Sequence, residues 1–103
     1  MRFMVSCRIP TEKGNRLIRE GKLGETIQSI MEDLKPEAAY FTDVDGDRGG
    51  YFIVNMDDAS QIPAIVEPLF QALDATIKFR VVMTPEDLQR ATPALEQAVQ
   101  KHG

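Results

Sequence analysis

The chain has little of the residue types on which many enzymes depend: its 103 residues include one cysteine, Cys7, and one histidine, His102. A single cysteine excludes an internal disulfide, so a reducing compartment is the simplest setting. His102 lies next to the last residue, where a fraying chain end holds no side chain in a pocket. This argues against histidine acid–base catalysis and against a multi-histidine metal or haem site.

The chain also lacks an excess of positive charge and any long apolar run. Twelve Lys and Arg residues stand against sixteen Asp and Glu, a net charge of -4. Nucleic-acid and anionic-membrane surfaces need clustered positive charge, so we expect neither partner. No apolar run reaches the roughly 18 residues of a membrane span. The first apolar stretch is broken by Arg8 and Pro10, unlike a signal peptide. We expect a cytoplasmic protein.

Length and composition predict one globular domain over residues 1–103. A hydrophobic share of 43% and a charged share of 27% are ordinary for such domains. No repeat, linker or low-complexity segment divides the chain.

The strongest local pattern is a β-hairpin. Ala38 to Val44 and Tyr51 to Met56, both rich in aromatic and β-branched residues, flank a segment of Asp and Gly. Asp43 to Asp47 also resembles the start of a calcium loop. That loop needs Gly at its sixth position and Glu at its twelfth, where this chain has Arg48 and Val54. We therefore interpret the segment as a turn and predict no metal site.

Two more strands and several helices follow from hydrophobic periodicity. Arg2 to Ile9 and Ala75 to Met83 alternate as strands. The helical stripe after the first strand is interrupted by glycines, which predicts one weakened helix or two shorter ones. A second helix should show a kink or break at Pro68. Thr84 and Pro85 begin a C-terminal helical tail.

The order β-α-β-β-α-β predicts an α+β, ferredoxin-like fold with an antiparallel four-stranded sheet. One sheet face should lie under the helices and the other should stay open. Residues expected under the helices are Phe3, Val5, Cys7, Ile9, Ile77, Phe79, Val81 and Met83. The hairpin gives the open face either Tyr40, Thr42, Tyr51, Ile53 and Asn55 or their alternates, depending on register.

The open face mixes apolar and charged residues, a character typical of a face covered by a second subunit. We therefore expect a homodimer with a cavity between sheet and partner. Basic and hydroxyl side chains there could bind a carboxylate. The candidate ligand-binding residues are Ser6, Arg8, Tyr40, Tyr51, Asn55 and Arg80. The alternative is that Lys78 and Arg80 protect an edge strand and that Arg8 forms an interface salt bridge.

Three segments carry a family resemblance: RFMVSCRIP, DLKPEAAYFTDVDGDRGGYFIVNMDDASQIPAIVEPLF and VVMTPEDL. They resemble a family of small bacterial proteins of unknown function that is similar to the dimeric α+β barrel superfamily. That superfamily includes cofactor-free monooxygenases, muconolactone-isomerase-like enzymes, dye peroxidases and amino-acid-sensing modules. The resemblance implies the fold and carries over no catalytic residue.

Three functions fit these observations. The leading hypothesis is a homodimer that binds a small organic ligand, which the arginines favour as anionic, in the open-face cavity. The second is a non-catalytic sensor or interaction module whose sheet face is only the dimer interface. The third is a cofactor-independent monooxygenase or isomerase in which Tyr or Arg stabilises an enolate. None of them requires a cofactor. Cys7, on the predicted core face, is interpreted as a buried inert thiol, with a nucleophile as the alternative.

Overall fold

The computed structural model describes residues 1–103 and confirms the ferredoxin-like plan. The strands form one antiparallel sheet in the order β2-β3-β1-β4. In chain order the elements are β1 (Arg2–Arg8), α1 (Thr11–Arg19), α2 (Leu23–Leu34), β2 (Ala38–Val44), β3 (Asp47–Asn55), α3 (Ile62–Leu73), β4 (Thr76–Val81), α4 (Pro85–Arg90) and α5 (Thr92–His102), with a 3-10 turn at Ala59–Gln61.

The hydrophobic core lies between one face of this sheet and helices α1 to α3. Alternate residues of β1 point into it, and Val5, on a central strand, is completely buried. The 13 residues of the core cluster are Phe3, Val5, Cys7, Ile9, Leu17, Ile30, Phe52, Val54, Met56, Ile65, Leu69, Leu73 and Ala75. Because the helices share one face, the other face stays uncovered within the chain.

The β2–β3 hairpin turns through two residues, Asp45 and Gly46. Both have positive φ, 50° and 86°, as a hairpin turn that follows the strand twist requires. The strand after the turn begins at Asp47, four residues earlier than the sequence pattern indicates. The register pairs Tyr40 with Tyr51, so both tyrosines lie on the open face, the first of the two predicted alternatives.

The far end of β4 departs from the prediction. Val81 pairs with Phe3 and lies on the helix side, yet Val81 and Met83 are 61% and 66% exposed. Ile77 and Phe79 are only half-buried. The expectation that these four residues lie under the helices is therefore wrong for Val81 and Met83. The reason is that β4 is an edge strand, and no residue of α4 or α5 is buried over its end.

The helices decide between the structures predicted for the first crossover and for the region around Pro68. The first crossover forms two helices, separated at Gly21, which has a φ of 68°. α3 runs unbroken from Ile62 to Leu73 through Pro68, so of the expected kink or break the break is wrong. α4 begins at Thr84-Pro85 as predicted, and there Thr84 and Asp87 form a capping box. None of the helices is both long enough and apolar enough to cross a bilayer.

Leu69 tests the core directly because this residue of α3 is only 1% exposed. Leu69→Ala should lower the free energy of unfolding by about 2–5 kcal/mol, through lost burial and the cavity left behind. Ile18→Ala is the matched control, since Ile18 is 48% exposed and should change stability by less than about 0.5 kcal/mol. Urea denaturation of both variants measures the difference. Equal effects would contradict this placement of the core.

Candidate functional site

A mainly apolar cavity lies on the helix side of the sheet rather than on the open face. It has a volume of about 490 Å³ and is lined by 17 residues, ten of them hydrophobic. Small-molecule sites typically span about 300–1,000 Å³. The lining residues are Cys7, Ile9, Leu23, Ile27, Ile30, Met31, Phe41, Thr42, Asp43, Gly46, Asp47, Arg48, Gly49, Gly50, Phe52, Leu69 and Leu73. We call this space the helix-side cavity.

Its walls are apolar. Helix α2 contributes Leu23, Ile27 and Met31, which are half-buried and fall on one helical face through their spacing. Across the cavity, Phe41 packs edge-on against Phe52 with ring centroids 6.1 Å apart. A ligand in this space would therefore exchange water for aliphatic and aromatic contacts.

Two consecutive glycines of β3 border this space. A Cβ at Gly50 would lie 2.7 Å from the carbonyl oxygen of Tyr40 and between the rings of Phe41 and Phe52. A Cβ at Gly49 would lie 2.0 Å from the carbonyl oxygen of Cys7. Only glycine fits where the strands approach this closely. At Gly50 the missing side chain also leaves the space beside the two rings open.

The mouth of the helix-side cavity is polar and contains Arg48. This residue pairs in register with Asp43, and both line the cavity. The side chain of Arg48 lies against α1, where a Cβ at Gly14 would be 2.8 Å from its Nη1 atom. Arg48 takes part in none of the ion pairs of the structure. Its guanidinium is therefore available to an anionic group, which it can bind through two parallel hydrogen bonds.

Asp47, beside Arg48, is fully engaged within the chain. Its Oδ2 atom accepts a hydrogen bond from Nη1 of Arg8 at 2.5 Å, and its Oδ1 atom accepts one from the Thr11 hydroxyl. The Thr11 hydrogen bond first, and then Arg8, lower the pKa of the Asp47 carboxyl. These contacts fix the turn end of the hairpin to β1 and to the start of α1.

Cys7 lies on the floor of the helix-side cavity and is 1% exposed. Burial raises the pKa of its thiol to about 11, so at neutral pH the group is uncharged. The thiolate is the nucleophilic form of cysteine. This supports the interpretation of Cys7 as a buried thiol that packs like a small apolar residue. The chain contains no group of three or more His, Cys, Asp or Glu side chains placed to hold a metal ion.

The six residues predicted to bind a ligand on the open face do not converge on one point. Ser6, Tyr51 and Arg80 line a small concavity of about 140 Å³, together with Lys78 and Asp45. Lys78 and Asp45 form an ion pair at 3.5 Å across it.

The other three predicted residues lie outside that concavity. Arg8 binds Asp47 and donates from Nη2 to the hydroxyl of Thr76 at 3.1 Å, so its salt bridge is internal. Tyr40 lies beside Tyr51 but is 68% exposed. Asn55, at the other end of β3, donates to the carboxylate of Glu37. A ligand-binding role for the six residues stays a prediction.

Comparisons with known proteins identify the family and the fold of the chain. It belongs to the family described as a domain of unknown function, DUF3303, whose profile matches residues 1–96. No curated protein matches it. A solved structure of 5-chloro-2-hydroxyhydroquinone dehydrochlorinase (TftG) from Burkholderia phenoliruptrix AC1100, in complex with 2,5-dihydroxybenzoquinone, superposes with a TM-score of 0.56. The match covers 84% of this chain and 99% of that chain at 15% identity, which shows the shared fold.

The contacts of Asp47 predict a pH dependence. Because folding lowers the pKa of this carboxyl, its contribution to stability is present above the ordinary Asp pKa of about 3.9 and is lost as the pH falls toward the lowered value. Asp47→Asn should therefore be less stable than the wild type at pH 7, and the two should converge as the pH falls below about 4. Urea denaturation across this range measures it, with the exposed Asp57→Asn as control. A pH-independent difference would contradict the assignment.

Proposed function

We propose that this member of the DUF3303 family binds a small, largely apolar organic molecule in the helix-side cavity, with an anionic or hydroxyl group of the ligand at Arg48. The observation that carries the proposal is the pairing of a 490 Å³ apolar space with an arginine that has no ionic partner of its own. This combination of an apolar body and one polar anchor is the usual composition of small-molecule sites.

The cavity favours a ring. Phe41 and Phe52 present aromatic surface on one side, and the aliphatic side chains of Ile27 and Met31 lie on the other. Burying about 200 Å² of apolar ligand surface would contribute roughly 5 kcal/mol before the cost of association. The TftG complex holds a hydroxylated quinone, an acidic ring of a size that the helix-side cavity accommodates, and that precedent from the same fold supports the choice of ligand class.

The proposal concerns binding, and the residues of the cavity suit it better than nucleophilic catalysis. The Cys7 thiol is protonated at neutral pH, and the single histidine, His102, lies in α5 and does not line the cavity. If the ligand reacts, Arg48 is the group placed to stabilise a developing enolate or phenolate. The monooxygenase or isomerase hypothesis would place its reaction beside this residue.

Arg48 gives the sharpest test of the proposal. Arg48→Gln should weaken the binding of 2,5-dihydroxybenzoquinone at least tenfold, because a charge-assisted hydrogen bond contributes about 1.5–3 kcal/mol. Arg80→Gln on the open face is the matched control and should bind as the wild type does. Isothermal titration calorimetry measures both affinities.

A second variant tests the apolar part of the cavity separately from Arg48 at its mouth. Ile27→Trp should fill the space and reduce binding while leaving the fold intact, since Ile27 is only half-buried. If the wild type binds neither this quinone nor benzoate at millimolar concentration, or if Arg80→Gln is the variant that loses binding, the proposal is wrong.

A second candidate function is that of a homodimeric interaction module whose interface is the open sheet face. Met4, Tyr51 and Ile53 give this face an apolar centre that no helix of the chain covers. Ser6, Tyr51 and Arg80 border its concavity, and a partner sheet would close that concavity into the cavity that the sequence pattern predicts. This proposal and the helix-side ligand site are compatible, because they use opposite faces of the sheet.

Ile53 tests the sheet-face interface. Ile53→Glu places a charge at the centre of the open face, and burying an unpaired charge is costly, so it should dissociate a sheet-face dimer. Ile62→Glu, on an exposed position of α3, adds the same charge elsewhere and should leave the assembly unchanged. Analytical ultracentrifugation over a concentration series gives the masses. A dissociation constant that Ile53→Glu leaves unchanged rules out this interface.

A further inference from the structure

The C-terminal segment α4–α5 extends away from the rest of the molecule. Every residue from Thr92 to His102 is exposed, and α4 has no buried residue. The protein consequently measures 60 × 27 × 20 Å, with a radius of gyration of 17.4 Å. A compact chain of this length has a radius of gyration of about 13 Å. We call residues 84–103 the arm.

The arm carries an apolar stripe along one side. Leu88 on α4 and Leu95 and Val99 on α5 are 51%, 56% and 69% exposed, and the four-residue spacing of Leu95 and Val99 places these two on one face of α5. Val81 and Met83, at and just after the end of β4, are exposed apolar residues too. Helices of this length are marginal in water without tertiary packing, so the stripe needs a partner surface.

The protein exposes more surface than a compact chain of its mass, enough for an interface with a partner. The accessible surface is 7078 Å², whereas a compact protein of 11.5 kDa has about 5,800 Å². The excess of roughly 1,300 Å² per chain exceeds the ~800 Å² that each partner contributes to a standard interface. Two copies together carry roughly 2,600 Å² of excess, within the range of about 2,000–5,000 Å² seen in obligate dimers.

We infer that the arm of each chain packs through Leu88, Leu95 and Val99 onto a second copy of the same chain. A two-fold pair covers both arms at once, because an isologous contact repeats each interaction. Small residues between the larger ones, Ala91 and Ala98, let the stripe approach its partner closely. This contact is independent of the ligand in the helix-side cavity and lies outside the open-face interface.

The test uses the full chain and combines mass with hydrogen exchange. In the wild type, ultracentrifugation should show a pair of chains, and the amides of residues 92–102 should be protected more strongly at high concentration than at low concentration. Leu95→Asp should raise the dissociation constant of the pair at least tenfold and abolish this protection. Gln97→Asp adds the same charge on the opposite side of α5 and should behave as the wild type does.

Two controls keep the test decisive. Protection of the β1 and β3 amides in Leu95→Asp confirms that the sheet is folded, and Val99→Asp repeats the experiment at a second position of the stripe. The inference is overturned if the wild type is a monomer at all concentrations or if α5 is protected independently of concentration. It is also overturned if both stripe variants retain the affinity and protection of the wild type.

Discussion

The close approach of β3 to both of its neighbours is the constraint on which this structure depends. At Gly49 and Gly50 the strand passes so near the carbonyl oxygens of Cys7 and Tyr40 that a side chain at either glycine would collide with the backbone. These contacts set the register of the hairpin against β1. They also leave a bare stretch of sheet beneath α2, where Phe41 and Phe52 would otherwise enclose a side chain. The helix-side cavity is a direct consequence.

The same strand register determines which partners the charged residues of this region have. Asp47 falls on the open face beside Arg8, and the Thr11 hydroxyl completes its hydrogen bonds. Arg48, one residue later, falls on the opposite face because side chains alternate along a strand. Arg8 is therefore used to hold the hairpin in place, whereas Arg48 is brought to the mouth of the apolar space with no ionic partner. The two arginines thus have different roles, which their partners reveal.

The sequence predicts the fold more fully than the site for a physical reason. Strands and helices follow from periodicity and turn chemistry, which are local, as the Asp45-Gly46 turn and the Thr84-Pro85 helix start both illustrate. The cavity depends on the absence of side chains at two glycines of β3 and on how α2 crosses the sheet. Both depend on contacts between residues that are far apart in the sequence. The pattern of residue types places Gly49 and Gly50 in the turn, although glycine inside a strand also indicates a close backbone approach. Arg8 qualifies as a ligand-binding candidate through its charge on the open face, but Asp47, 39 residues away, already engages it.

The central claim is that ligands enter beneath α2 rather than across the open face, and intermolecular nuclear Overhauser effects test it most directly. With 2,5-dihydroxybenzoquinone bound, the account predicts contacts from its ring protons to the methyl groups of Ile27 and Met31, which line the helix-side cavity. Contacts instead to the methyl groups of Met4 and Ile53 would place the ligand on the open face and contradict the account.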